Sequence, residues 1–179
     1  RYEANWRDSS AIARGEITPN YICWPERVLS VYPDIKFFIT WRDPVDRVVS
    51  HMALELGHVR KSMPAKDYAA HRAQFIEKFE EQVHKEDFWT YAPIKFGRKS
   101  IIKPWTNALG PDQLMIIDFD SLKDVESQRN TFNKLYKFLG VTPLGHLQRF
   151  RHVNNFPDDA VTLSDETIAA LRNYYNEYE

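Results

Sequence analysis

The stretch FFITWRDPVDRVVSHM, residues 37–52, decides the fold. Its first part continues IKFFITW, Ile35 to Trp41, an uninterrupted apolar run rich in β-branched and aromatic residues. Such a run reads as a strand buried on both faces, the type found in parallel sheets. Asp43 then supplies a helix cap and Pro44 a first-turn residue, predicting a helix to about His58. Val45, Val48, Val49 and Met52 form the apolar face of that helix. A plain strand-to-helix turn requires nothing more, yet Arg42, Arg47 and Ser50 follow the strand directly.

In open α/β sheets, ligands bind beyond the carboxyl ends of the strands. Arg42 lies one residue past that end, and Arg47 and Ser50, three apart, share a helix face. Guanidinium groups present paired donors that match phosphate oxygens, a hydroxyl adds one more, and the helix N-terminus contributes partial positive charge. The same residues can equally serve structure, the arginines pairing with Asp43, Asp46 or sheet-edge carbonyls and Ser50 filling space. Residue chemistry makes an anion site plausible and does not name the anion.

Outward from this stretch, strands and helices alternate. Glu26 to Tyr32 reads as a short helix stopped by Pro33. A polar helix is expected from about Asp67 to His84, and another around Ile101 to Leu109 with Pro104 near its start. GPDQLMIIDF gives a turn and a second buried strand, Gln113 to Phe119. Val125 to Leu139 is an amphipathic helix ended by Gly140, and Ser164 caps a last helix whose first turn holds Asp165 and Glu166. This order predicts an α/β three-layer domain around a central, mostly parallel sheet, with residues 1–179 forming a single domain.

The chain has 179 residues, 43% of them hydrophobic, 27% charged and 14% aromatic, an ordinary globular balance with a high share of rings. A net charge of -1 excludes nucleic-acid binding through bulk charge, so any phosphate site must be local. Cys23 is the single cysteine, which excludes an internal disulfide and a cysteine-based metal site and suits a reducing compartment. No apolar run has the length of a membrane span. His58, His71, His84 and His146 show no metal-ligand spacing, so no metal is expected, and His51, beside Ser50 but off its face, reads as a core or surface residue.

The motif closely resembles the 3′-phosphate-binding motif of PAPS-dependent sulfotransferases, in the branch of heparan sulfate sulfotransferases and their bacterial relatives. Their pattern R-[DN]-P-x-x-R-x-x-S is filled by Arg42, Asp43, Pro44, Arg47 and Ser50. GEITPNYI, Gly15 to Ile22, is similar to the family's G-E-K-[TS]-P-x-Y. IIKPWTNALGPDQLMIIDFDSLKDV, FLGVTP and HVNN follow in the family's order, so the resemblance covers nearly all of the chain.

The resemblance implies a P-loop-NTPase-like sulfotransferase fold that transfers a sulfuryl group from PAPS to a hydroxyl or amine of an acceptor, a carbohydrate or a small molecule. The alternative is a catalytically inactive PAP-binding or scaffolding protein. The resemblance assigns the 3′-phosphate to Arg42 and Ser50, with Arg47 supporting the pocket. Arg151 and His152, in the loop that closes over the nucleotide in the family, are further donor-site candidates, and Glu16 and Trp24 are pocket-lining candidates. The family's first strand and phosphosulfate loop are not recognisable, so an N-terminally incomplete domain is expected, with Glu3 the one weak candidate for the catalytic glutamate. The family's lysine beside the reacting sulfate is replaced here by Ile17, and FPDDAV is acidic where basic residues are usual. The implied partners are the nucleotide donor and an acceptor, with no nucleic acid and no metal. A cytoplasmic location is expected, or the Golgi lumen if an anchor precedes the chain.

Overall fold

The computed structural model describes residues 15–85, 87–88, 94, 97–143 and 160–177. In chain order the elements are helix α1 (Pro25–Val31), strand β1 (Phe37–Trp41), helices α2 (Pro44–Ser62), α3 (Ala65–Gln82) and α4 (Lys103–Ala108), strand β2 (Leu114–Asp118), and helices α5 (Val125–Leu139) and α6 (Asp165–Glu177). Short 3-10 turns at Pro19–Cys23, Lys99–Ile101 and Phe119–Leu122 join them. The chain divides into two compact units, Arg1–Trp41 with Pro104–Arg149, and Arg42–Lys103 with Phe150–Glu179.

The first unit is an α/β arrangement around a parallel pair. β1 and β2 align Phe37 with Leu114 and Trp41 with Asp118. The ladder opens with the Phe37 amide donating to the Gln113 carbonyl at 2.7 Å. On the Phe37 and Leu114 face, Trp105 of α4 is fully buried and stacks on Phe37 with centroids 4.1 Å apart and planes 4° off parallel. Val28 of α1 and Leu109 complete that cluster. The Trp105 indole donates to the Ile22 carbonyl at 2.9 Å, so its polar edge is satisfied inside an apolar site. Ile117, buried on the opposite face of the pair, lies on the strand along which α5 packs. Helices on both faces of a parallel pair make the three-layer α/β design.

β1 is shorter than its apolar run and is not buried on both faces. Phe38 is 38% exposed and Thr40 is exposed, as is Ile116 on β2 at 48%. Ile35 and Lys36 stay outside the strand. The Lys36 ammonium donates to the Phe138 carbonyl at the end of α5 and lies 5.4 Å from the Phe138 ring centroid.

The second unit is helical. Val45, Val48, Met52 and Leu56 form one buried stripe of α2 and pack with Val83, Ile94, Leu171, Tyr174 and Tyr175. Spacings of three and four residues put that stripe on one face. α2 runs to Ser62 rather than His58, with Arg60 and Lys61 in its last turn, where cations oppose the helix dipole. It stops because Met63 precedes Pro64 and takes an extended conformation, ψ 143°.

Candidate functional site

Asp43 makes the sharp entry into α2. Its carboxylate accepts from the amides of Val45 and Asp46, both at 2.9 Å, and Pro44 occupies the first turn. Two of the amides that an anion would otherwise use at this helix end are therefore taken by Asp43. An incoming anion depends on side chains, and the first candidate is Arg42, half-buried immediately before the cap. Arg47 is also half-buried, and Ser50 is exposed on the same side of α2, one turn further on. All three expected phosphate-site residues thus belong to one compact unit and to one turn-and-helix segment.

Arg47 is tied into the fold. Its guanidinium donates to the Tyr175 hydroxyl of α6, and burial holds its pKa below the usual arginine value. The Tyr175 hydroxyl in turn donates to the Ile94 carbonyl at 3.0 Å. Burial pushes the Tyr175 phenol up to about 12, against the opposing pull of Arg47 and Arg98, so it stays neutral at ordinary pH.

A group that sequence reading missed meets the same place. A Cβ at Gly97 would lie 2.8 Å from the Tyr175 ring and 2.9 Å from Cβ of Pro44, so the backbone there touches the first turn of α2 at the closest range. Arg98 follows, its guanidinium 4.8 Å from the Tyr174 ring centroid. The signal was present as GRKS, residues 97–100, but its separation of about fifty residues from the motif hid it.

His51 pairs with Glu55 one turn along α2, Nε2 to Oε1 3.0 Å, and both side chains are partly exposed. They also line a cleft of about 450 Å³ beside α3, whose apolar wall includes Met52, Phe75 and Phe79. Glu16 and Trp24 belong to the other unit. Glu16 is exposed in extended chain, and Trp24 is 58% exposed ahead of α1. Glu3, Arg151 and His152 lie outside the described residues. Among the described residues no three His, Cys, Asp or Glu side chains gather as a metal site requires, and no described helix is long and apolar enough to cross a membrane.

A family model described as sulfotransferase family matches residues 4–144. Among solved structures, a crystal structure of a sulfotransferase from Alicyclobacillus acidocaldarius is similar in fold, with a TM-score of 0.52 and 22% sequence identity. The match covers 88% of this chain and 58% of that one, so the chain spans well under two thirds of that neighbour's length. No curated protein matches the chain.

Proposed function

The chain belongs to the sulfotransferase family, and from that premise we propose that it binds the 3′-phosphate of PAPS, or of its product PAP, through Arg42 and Ser50. The observation that carries this reading is the Asp43 cap. It consumes the nearest helix amides and leaves side chains to hold the anion. Arg42 gives a charge-assisted, paired contact, and Ser50 adds a hydroxyl donor from the side of α2. Arg47, fastened to Tyr175, fixes the helix that carries Ser50 and keeps positive potential beneath the site.

The proposed reaction moves the donor's sulfuryl group to an acceptor hydroxyl or amine, a carbohydrate or a small molecule. The acceptor oxygen or nitrogen forms the new bond to sulfur, the sulfur–oxygen bond to the 5′-phosphate breaks, a base takes the acceptor proton, and PAP leaves. What Arg42 and Ser50 do in this scheme, with Arg47 supporting them, is bind and orient the nucleotide by the end remote from the chemistry. An inactive PAP-binding protein is the second reading. It is favoured by Ile17, 88% exposed at the position where the family carries a lysine.

PAP release from PAPS, measured across a panel of oligosaccharides, phenols and amines, tests the activity. Release that requires one acceptor class supports a transferase. PAP binding with no release on any acceptor supports the inactive reading.

A further inference from the structure

One side chain far from the motif in sequence reaches the start of α2 at two points, once through Gly97 and once directly. Gly97 lies between the Tyr175 ring of α6 and Pro44, where a Cβ would be 2.8 Å from the ring and 2.9 Å from Cβ of Pro44. Through that contact the ring backs the first turn of α2. One turn further on, the Tyr175 hydroxyl accepts from the Arg47 guanidinium, and it donates to the Ile94 carbonyl at 3.0 Å. A guanidinium only donates and a carbonyl only accepts, so the group between them must do both, as a neutral hydroxyl does. The phenol is buried, which holds its proton on, and Arg47, Arg98 and Asp43 are the charged groups whose fields it feels. Tyr175 lies outside residues 4–144, the stretch that the family model matches.

Arg42 precedes Pro44 by two residues and Ser50 follows Arg47 by three, so the two points that Tyr175 holds lie between the proposed phosphate ligands. The buried stripe of α2 packs that helix on its core, but apolar packing is non-directional. The hydroxyl adds a directional contact on the polar side. We propose that Tyr175 is a positioning residue of the donor site, setting the place of Arg42 and Ser50 through Pro44 and Arg47 and touching no ligand itself. This inference rests on the donor reading above. Paired, charge-assisted contacts depend on geometry, so the 3′-phosphate is the part of the nucleotide that senses loss of the hydroxyl.

The test compares PAP with adenosine 5′-phosphate, which lacks the 3′-phosphate, by calorimetry on the full-length protein. Tyr175→Phe keeps the ring against Gly97 and removes the hydroxyl. It is expected to weaken PAP about 3- to 10-fold, the scale of one net hydrogen bond, with adenosine 5′-phosphate unchanged. Because the hydroxyl acts through Arg47, the double variant with Arg47→Lys is expected to lose no more than the larger of the two single variants. Additive losses, equal losses for both nucleotides, or no loss of PAP with Tyr175→Phe overturn the inference. Hydrogen exchange of the wild-type protein covers the case in which the variants do not fold. Coupling is reciprocal, so PAP is expected to slow exchange of the α6 amides around Tyr175 more than adenosine 5′-phosphate does at equal saturation, and equal exchange overturns the inference. If Arg42→Ala loses PAP and Tyr175→Phe does not, the inference alone fails. If the wild-type protein binds PAP no better than adenosine 5′-phosphate, the donor reading fails and the inference falls with it.

Discussion

The Arg47 guanidinium on α2 donates to the Tyr175 hydroxyl on α6, and that hydroxyl in turn donates to the Ile94 carbonyl at 3.0 Å. One phenol thus joins the motif helix, the last described helix and the segment before Gly97. Tyr175→Phe keeps the ring and takes one partner each from the Ile94 carbonyl, whose residue is fully buried, and the half-buried Arg47 guanidinium. The expected loss is about 1–3 kcal/mol of unfolding free energy by urea titration. A loss within error of zero would mean that water replaces the hydroxyl without cost.

The same phenol sets an alkaline limit. Its folded pKa is raised from 10.0 to about 12 by burial, so between those values the unfolded chain has released a proton that the folded chain retains. Stability from this group is fully present below about pH 10 and declines as pH rises toward 12. Melting temperatures taken from pH 9 to 11.5 are expected to fall more steeply for the wild-type protein than for Tyr175→Phe. Parallel slopes would remove Tyr175 as the cause.

Gly97→Ala places a methyl group 2.8 Å from the Tyr175 ring and 2.9 Å from Pro44. Both neighbours are rigid, so the backbone must move, at about 1–3 kcal/mol of stability as in other overpacked sites. Chemical denaturation checks the size of the loss. Wild-type stability in this variant would contradict the close packing of the 97–98 segment on α2.

Ile17 is 88% exposed, so Ile17→Lys is expected to change stability by no more than about 0.5 kcal/mol. A single well-placed donor at a developing charge is worth about 10²–10³ in rate. On the transferase reading, Ile17→Lys is therefore expected to raise acceptor-dependent PAP release about tenfold or more. An unchanged rate would mean that this position is remote from the reacting sulfate.

Local chemistry made some elements legible in the sequence. α5 spans Val125–Leu139 as expected because the Asp124 carboxylate caps it, accepting from the Ser127 amide at 2.9 Å, and Gly140 ends it at φ 73°, a left-handed conformation that suits glycine. The Asp43–Pro44 entry into α2 was equally plain for the same kind of reason. β1 was harder, since an apolar run reports hydrophobicity and not which neighbour covers each face. Phe38 remains 38% exposed despite lying mid-strand. Arg42, Arg47 and Ser50 were visible because they lie within nine residues of one another. Tyr175, Gly97 and Arg98 were not, because tertiary packing alone brings them to that segment.

The central claim is that Arg42 and Ser50 hold the 3′-phosphate of the donor. Calorimetric titration of PAP into the full-length wild-type protein, Arg42→Ala and Ser50→Ala tests it most directly. The account predicts a loss of about 1.5–3 kcal/mol in binding free energy for Arg42→Ala, the scale of a charge-assisted hydrogen bond, and a smaller loss for Ser50→Ala. Equal affinity in the wild-type and Arg42→Ala proteins would contradict it.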